Sequence, residues 1–420
     1  MKSFSHALMA ALLAGGVMTA ATPAFAKDKK EAEGDKAPAL KLSNEVRTPA
    51  AAAQKALAEN NVAAAEPLVA QVEAAAKTDD EKYIAASMRL NIEAKKNNEA
   101  GISAPLKVLV ASPRTAQADK ARYSYELGRL AAKQKNMAEA NTYLQQAKSL
   151  GYNDPNLSLQ LVQIKADGGD LPGASADMDA AIQAQAAAGQ KPSEDLYRFM
   201  ISRANKAKNG QMTYEWLRKW VAAYPTQKNW RETVLLTGLQ SGGIAAFDKG
   251  QKVDLFRLLR TNKALADQYD YEIYAQSAFD LGLPYESKTV LTEGKAAGKI
   301  PADSANANSI LKASTTSIAA EGSLSGPEAK AKSAANGKLA AGTGDAYLGS
   351  GNYPKAIELY RLALQKGGVD ADAVNTRLGI ALANTGDKAG AKAAFETVKT
   401  APRSYIAGLW IESLDHPPVG

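Results

Sequence analysis

Apolar residues recur at helical spacing along most of the chain, and short polar turns interrupt them at intervals. From about Ser43 to Leu414 the apolar positions follow a period of three to four residues, which predicts amphipathic helices. Turn-forming residue pairs separate the helical segments. These pairs are Asn60-Asn61, Asn97-Asn98, Lys135-Asn136, Gly169-Asp170, Asn209-Gly210, Leu281-Gly282, Gly351-Asn352 and Gly386-Asp387.

The turn pairs are regularly spaced. Successive turns lie 34 to 40 residues apart, except for two intervals of 72 and 70 residues, each about twice the common step. We therefore expect two further turns, near Lys249-Gly250 and Gly322-Ser323. A period of this length accommodates two helices of about four turns with two short loops. The spacing predicts about ten helix pairs packed side by side as an array.

Composition supports closely packed helices. The chain has 420 residues, of which 45% are hydrophobic and only 6% aromatic. Enough apolar area is available to offset the entropy of ordering, which excludes a disordered chain. The absence of cysteine excludes disulfides, thiolate catalysis and the usual structural zinc sites.

The best-formed repeat combines small and aromatic residues at fixed offsets. Its first helix carries Gly344 and Tyr347, and its second carries Ala356, Tyr360 and Ala363. A small residue is needed where the two helices of a pair cross closely, because a side chain there would force them apart. We expect the larger residue of the second helix to fill the space toward the next pair.

The following repeat keeps the same pattern, with Gly379, Ala391 and Phe395 standing 35 residues after Gly344, Ala356 and Tyr360. These spacings resemble the tetratricopeptide repeat family. The resemblance implies an all-α, right-handed superhelical solenoid of antiparallel helix pairs. It divides the chain into repeats at 45–229, degenerate helical repeats at 230–335, and well-formed repeats with a capping helix at 336–414. A tail, 415–420, ends the chain.

The N-terminal residues predict export. Lys2 precedes an apolar stretch from Ala7 to Ala21, and Ala24-Phe25-Ala26 is a small-x-small cleavage pattern. We expect a signal peptide at 1–26 that is cleaved after Ala26, a flexible linker at 27–44 and a periplasmic mature protein. The apolar stretch is shorter than the ~20 residues that a membrane span requires, and no later segment predicts a span.

Catalytic and metal chemistry have little support in the sequence. His6 lies in the predicted leader and His416 in the tail, so neither a catalytic triad nor a histidine-based metal site can be assembled. We expect no catalytic residue, no metal and no cofactor. The net charge is +7 for the whole chain and would raise nucleic acid as a partner of a cytosolic protein. Predicted export argues against nucleic acid and favours acidic protein segments.

A basic stripe is the first candidate binding site. Arg122, Tyr125, Arg129 and Lys133 share one face of a helix, because their offsets are 3, 7 and 11 residues. In the family that the chain resembles, such positions on the first helix of a repeat contact peptides. The stripe would then bind acidic or C-terminal carboxylate segments. The alternative is a solvated basic face without a ligand.

An aromatic cluster is the second candidate. Trp216, Trp220 and Tyr224 are spaced four apart and share one helix face. If exposed, the rings would form a platform for a peptide or a sugar. If buried, they would be the packing face of a second helix, which is the commoner use of an apolar stripe at this spacing.

The resemblance implies a non-catalytic scaffold for protein–protein interaction, in envelope assembly or secretion. One alternative is an envelope glycan-binding or enzyme-accessory module that uses the tryptophans. Another is a hydrolase site within 230–335. The last helix, from Ser404 to Leu414, is expected to cap an open end of the array.

Overall fold

The computed structural model describes residues 40–152 and 154–419. These residues contain twenty-one α-helices, one short π-helical turn and no β-strand apart from an isolated bridge between Thr226 and Val419. Taken in chain order, the helices make ten pairs and a final helix, so the predicted all-α fold of helical repeats is confirmed. The predicted signal peptide 1–26, its cleavage after Ala26 and most of the linker 27–44 lie outside the described residues.

The chain divides between Gln190 and Lys191 into two compact units. This division follows packing, whereas the predicted boundaries at 229 and 335 follow how well the repeat motif is kept. In its described residues, 40–152 and 154–190, the first unit contains four helix pairs. Its helices are α1 (Asn44–Ala58), α2 (Val62–Ala75), α3 (Asp79–Lys95), α4 (Glu99–Ala111), α5 (Gln117–Lys133), α6 (Met137–Ser149), α7 (Pro155–Asp167) and α8 (Leu171–Ala187).

The second unit contains the remaining helices. They are α9 (Glu194–Lys206), α10 (Gly210–Ala223), α11 (Gln227–Val234) with the π-helical turn Leu235–Leu239, α12 (Lys249–Thr261), α13 (Gln268–Asp280), α14 (Pro284–Ala296), α15 (Ala305–Glu321), α16 (Ser325–Ser333), α17 (Lys338–Gly349), α18 (Tyr353–Lys366), α19 (Ala371–Thr385), α20 (Lys388–Glu396) and α21 (Arg403–Asp415).

Most turns within the helix pairs share one construction. A residue with positive φ reverses the chain, and the next residue caps the following helix with its side chain. Asn60 has φ 57°, and the Asn61 side chain accepts a hydrogen bond from the Ala64 amide. Gly351 has φ 80°, and Asn352 caps α18 in the same way. The capping oxygen satisfies one of the free amides at the start of each second helix.

Two of the predicted turn pairs are displaced by one residue. At the first, Lys208 takes the positive φ of 56° and Asn209 is the cap, so Gly210 is already helical. At the second, Gly282 has φ 72° and Leu283 precedes the helix without a capping side chain. At the first of these turns glycine was assigned the wrong place, because a lysine takes the left-handed conformation there, at a cost. Of the two further turns expected, Gly322 has φ 70° and ends α15.

The small residues of the repeat motif lie where the helices of one pair meet. A Cβ placed on Gly344 would be 2.9 Å from Cε1 of Tyr360, and one on Gly379 would be 2.6 Å from Cε1 of Phe395. The expectation that these rings fill the space toward the next pair is therefore incomplete. Each ring covers the glycine of its own pair, although Phe395 also stacks on Trp410 at 5.7 Å.

The motif alanines Ala356, Ala363 and Ala391 are fully buried. Tyr347 is only partly buried, and its hydroxyl donates a hydrogen bond to Glu328 at 2.9 Å. The motif residues therefore differ in their role: the alanines and glycines allow close packing, and Tyr347 links α17 to the preceding helix.

In the second unit, α12 is enclosed by other helices. Seven consecutive residues, Val253 to Leu259, are buried, including Asp254 and Arg257. A helix that is buried on all sides needs partners around its whole circumference. They include α13 and α19, whose residue Arg377 approaches Asp254 to 3.7 Å.

The final helix, α21, does not cap an open end, so that expectation is wrong. It packs back on helices near the start of its own unit. The Tyr214 hydroxyl of α10 donates a hydrogen bond to the Tyr405 carbonyl at 2.9 Å, and Arg218 pairs with Glu412 at 2.8 Å. Apolar residues on several sides of α21 drive this packing, since Leu409 and Trp410 are both buried. None of the helices in the described ranges has the combined length and hydropathy that crossing a bilayer requires.

Candidate functional site

The three cations of the predicted basic stripe lie on α5 and are already neutralised. Each of them pairs with a carboxylate of the same or the preceding helix: Arg122 with Asp119 at 2.9 Å, Arg129 with Glu126 at 2.9 Å and Glu99 at 3.5 Å, and Lys133 with Glu99. A paired cation attracts an acidic ligand less than a free one, because the ligand must compete with the carboxylate that is already in place. The peptide-binding role of this stripe stays a prediction.

Tyr125, the fourth residue of the stripe, does not face solvent. It is buried, stacks on Tyr152 with ring centroids 4.5 Å apart, and accepts a hydrogen bond from the Gln160 amide at 2.7 Å. Burial raises the pKa of Tyr152 to about 12. Tyr125 therefore joins the third and fourth helix pairs, and its ring face is covered.

The aromatic cluster is buried. Trp216 and Trp220 have no exposed surface, and the Trp220 indole donates a hydrogen bond to Glu194 at 2.9 Å. Tyr224 is partly buried, and its hydroxyl donates to the Pro192 carbonyl at 2.5 Å. A sugar platform needs exposed ring faces, whereas these rings are the packing face of α10.

A cleft of about 800 Å³ lies in the second unit, between the C-terminal end of α12 and the helices around it. We call it the basic cleft. Six basic and two acidic side chains line it: Lys228, Arg231, Arg257, Arg260, Lys263 and Lys299 against Glu286 and Glu293. Ligand sites in proteins commonly have volumes of roughly 300–1,000 Å³, so this cleft is large enough for a small molecule or a short peptide segment.

The arginines of the basic cleft are fixed by two-point pairs with carboxylates. Arg231 donates to both oxygens of Asp270 at 2.7 and 2.9 Å, and Arg260 donates to both oxygens of Glu293 at 2.7 and 2.6 Å. Such paired hydrogen bonds hold the planar guanidinium in one orientation. These arginines shape the wall of the cleft, and their charge is largely balanced.

The lysines of the basic cleft are unpaired. Lys228, Lys263 and Lys299 are exposed, and none of them makes an ion pair with a residue in the described part of the chain. An ammonium group on a flexible stem can reach an incoming anion without first breaking an existing pair. The net positive charge of the cleft therefore comes from these three side chains.

Apolar side chains also line the basic cleft. They are those of Leu265, Tyr271, Leu348, Tyr353 and Ile380. Aromatic and aliphatic surface beside a few charges is typical of sites that bind an amphipathic ligand. The cleft is therefore suited to a ligand that carries both carboxylates and apolar groups.

A buried ion pair forms the floor of the basic cleft. Arg257 donates to Glu286 at 2.8 and 2.5 Å, and the Tyr274 hydroxyl donates to the same carboxylate at 2.5 Å. Burial alone would raise the pKa of Glu286, but the charge of Arg257 and the hydrogen bonds from Arg257 and Tyr274 lower it below its ordinary value. Glu286 is consequently ionised at neutral pH and is not a proton donor for catalysis.

The basic cleft is not visible in the sequence. Its residues come from 227–299 and from 348–384, so no local spacing brings them together. The signal that was available is the pair Asp254 and Arg257 inside the apolar run of α12. Charges three residues apart in a buried helix indicate a partnered internal network. Within residues 40–152 and 154–419, no group of three or more potential ligands among His, Cys, Asp and Glu is placed to hold a metal ion.

The fold and the cleft define a class, an all-α repeat protein with a basic cleft. No protein-family model matches the chain, and no curated protein matches it. Solved structures with a related arrangement include the tetratricopeptide repeat domain of P58(IPK), with 13% identity, 88% of this chain and 97% of that chain covered, and a TM-score of 0.22. Yeast Tom70 has 11% identity, 88% coverage of both chains and a TM-score of 0.23.

The pentatricopeptide repeat protein PPR10 from maize has 13% identity, with 89% of this chain and 62% of that chain covered, and a TM-score of 0.26.

Proposed function

We propose that this chain is a non-catalytic protein-interaction scaffold of the bacterial periplasm, acting in cell-envelope assembly or secretion. We further propose that its basic cleft holds an acidic segment of a partner protein. The observation that carries the proposal is that three exposed, unpaired lysines line one cleft together with apolar side chains. Helix-pair repeats present such surfaces on a rigid frame, which suits binding without chemistry.

Acidic segments fit this cleft better than they fit the stripe on α5. At the stripe, an incoming carboxylate would displace Asp119, Glu126 or Glu99 from an existing pair. In the basic cleft, it would meet the ammonium groups of Lys228, Lys263 and Lys299 directly. Like-signed side chains around a concave surface also raise the rate at which an oppositely charged segment arrives.

A peptide titration tests the cleft. The probe is a labelled ten-residue peptide of alternating glutamate and leucine, with its glutamine counterpart as the uncharged control. We expect the Lys228→Glu, Lys263→Glu and Lys299→Glu triple variant to weaken binding at least tenfold, which is about 1.4 kcal/mol. The measurement is fluorescence anisotropy at 0.1 M salt, and further added salt should weaken the wild-type complex.

A variant with the same change in net charge is the matched control. Lys206, Lys252 and Lys312 are exposed lysines of the second unit that do not line the basic cleft. Reversing all three should leave the dissociation constant within about twofold of wild type, because exposed charges beyond about 10 Å are largely screened at 0.1 M salt. Equal weakening by both triple variants would show that only net charge matters. Loss of binding on reversal of Arg122 and Arg129, with the cleft variant unaffected, would move the site to α5.

The proposed periplasmic location depends on the predicted signal peptide, residues 1–26. Mass spectrometry of the protein recovered from the periplasmic fraction should show a mature N-terminus at Lys27, the residue after Ala24-Phe25-Ala26. Recovery of the chain from the cytoplasm with residues 1–26 intact would contradict export.

A further inference from the structure

A second, smaller cavity lies beside the basic cleft in the same unit. Its volume is about 360 Å³, and it shares Gln227, Thr261 and Lys263 with the cleft. The rest of its lining comes from the ends of α12, α19 and α21, the first residue of α20 and the C-terminal tail. These residues are Asn262, Ala383, Lys388, Trp410, Ser413, Leu414, Pro417 and Pro418. We call it the tail cavity.

Two buried hydrogen-bond donors in the lining of the tail cavity have no acceptor. Asn262 is 4% exposed and Trp410 is 1% exposed, yet Nδ2 of Asn262 and Nε1 of Trp410 are without a partner in the described part of the protein. Buried polar groups are almost always paired, so two such donors on residues of one cavity lining need an explanation. An acceptor that reaches the two nitrogens from the tail cavity supplies it.

The neighbouring contacts explain why these two donors are left over. The Ser413 hydroxyl donates to Oδ1 of Asn262 at 2.6 Å, which occupies the amide oxygen and leaves the amide NH₂ group. Trp410 is held by stacking on Phe395, with ring centroids 5.7 Å apart. By contrast, the indole of Trp230 donates to the His416 carbonyl at 3.2 Å. Both donor side chains are thus held in place without their N–H groups being used.

The charges around the tail cavity select an anion. Lys263 and Lys388 are both exposed and make no ion pair with any described residue, whereas no acidic side chain lines the cavity. Two N–H donors and two ammonium groups are suited to an anionic oxygen acceptor. The remaining lining includes Trp410, Leu414 and two prolines, so the rest of the ligand meets apolar surface.

We propose that the tail cavity binds a carboxylate group on a short apolar body, with Asn262 and Trp410 donating hydrogen bonds to its oxygens. Lys263 and Lys388 supply the opposite charge. The carboxylate has two possible sources, a free small carboxylic acid or an acidic side chain of a segment that occupies the adjoining basic cleft. The proposal does not depend on the proposed function, because the free acid needs no protein partner.

The indole N–H resonance of Trp410 tests the proposal directly. The chain has four tryptophans, so a ¹H–¹⁵N spectrum of the indole region is simple, and Trp410→Phe assigns the resonance. The probe is butyrate, and 1-butanol is the matched compound without a carboxylate. We expect butyrate to shift the Trp410 resonance saturably at millimolar concentrations and to leave the other three in place. No saturable shift, or an equal shift with butanol, would overturn the proposal.

Two variants localise the site. Lys388→Ala, at the exposed start of α20, and Asn262→Asp, which keeps an oxygen for Ser413, should each weaken butyrate binding at least threefold. Lys206→Ala, which lies in the same unit but outside the tail cavity, is the control and should change nothing. If Asn262→Asp fails to fold, Lys388→Ala carries the test alone. Unchanged butyrate affinity in Lys388→Ala would contradict the assignment.

The source of the carboxylate is distinguished in the same spectrum. If the glutamate–leucine peptide shifts the Trp410 resonance in the wild type but not in Lys228→Glu with Lys299→Glu, the carboxylate comes from a segment in the basic cleft. If only butyrate shifts it, the ligand is a free acid. Failure of the peptide to bind in the anisotropy assay would contradict the proposed function and leave the butyrate result unaffected.

Discussion

Arg403 and Asp254 lie 149 residues apart in the sequence and form a buried hydrogen bond of 2.6 Å. The contact joins the last helix, α21, to the enclosed helix α12. Arg257 donates to the other oxygen of Asp254 at 2.6 Å, so the carboxylate accepts hydrogen bonds from two arginines. Burial alone would raise the pKa of Asp254, but the charges of Arg377, Arg257 and Arg403 lower it, which keeps the carboxylate ionised.

Removing Arg403 should destabilise the second unit. Arg403→Met leaves Asp254 buried with one hydrogen-bonded arginine fewer, and breaking a buried pair on one side costs about 3 kcal/mol. We expect a decrease of this size in the free energy of unfolding, measured by urea denaturation. The control is Arg218→Met, whose side chain is 40% exposed in its pair with Glu412, and which should cost less than about 1 kcal/mol. Equal losses in the two variants would contradict a special role for the buried contact.

Two glycines of one helix, α17, should respond in opposite directions to alanine. A Cβ on Gly344 would meet the Tyr360 ring at 2.9 Å, whereas Gly342 is exposed with nothing within 4 Å of its Cβ position. Gly344→Ala should lower the free energy of unfolding by about 1–3 kcal/mol through overpacking. Gly342→Ala should raise it by about 0.4–1 kcal/mol through helix propensity and reduced entropy of the unfolded chain. Thermal unfolding of both variants measures this, and destabilisation by both would show that the Tyr360 contact is not the cause.

Much of the repeat structure could be predicted because its causes are local. The turn residues and the glycines at helix crossings act within one helix pair, so their spacing of about 35 residues is visible in the sequence. The packing of α21 on α10 and α12 could not be predicted, because it depends on contacts such as that of Tyr214 with Tyr405, 191 residues apart. Periodicity identifies which side of a helix is apolar and does not identify what covers it.

The same limit applies to the candidate sites. Helical spacing correctly placed Trp216 and Trp220 on one side of α10, but only the packing of the unit shows that this side is buried. It also placed Arg129 and Lys133 together on α5, without revealing that Glu99 of the preceding helix pairs with both. The basic cleft was missed because Lys228 and Lys299 meet only through tertiary structure.

Positive φ in two of the turns should affect stability through backbone strain. Lys208 has φ 56°, in the left-handed region that costs a non-glycine residue roughly 1–2 kcal/mol. Lys208→Gly should therefore raise the free energy of unfolding by about 0.5–1 kcal/mol, the gain being reduced by the added freedom of glycine in the unfolded chain. Gly351→Ala, at φ 80° with open space at its Cβ position, should lower it by about 1 kcal/mol. Urea denaturation measures both, and a change of the same sign in the two variants would contradict this account.

Because of Glu81, the stability of the first unit should depend on pH in the acidic range. Hydrogen bonds from Ser43, Thr78 and Lys77 to its carboxylate hold the pKa of Glu81 far below its ordinary value of about 4.5. Because the pKa is lowered in the folded state, the stabilisation is complete above the unfolded-state value and is lost as pH falls below about 4.5. Glu81→Gln carries no such charge, so its free energy of unfolding should decrease less steeply between about pH 5 and 2 than that of the wild type. The control is Glu59→Gln, at an exposed position, which should follow the wild-type curve. If the Glu81→Gln curve is equally steep, these hydrogen bonds do not favour the ionised form of Glu81.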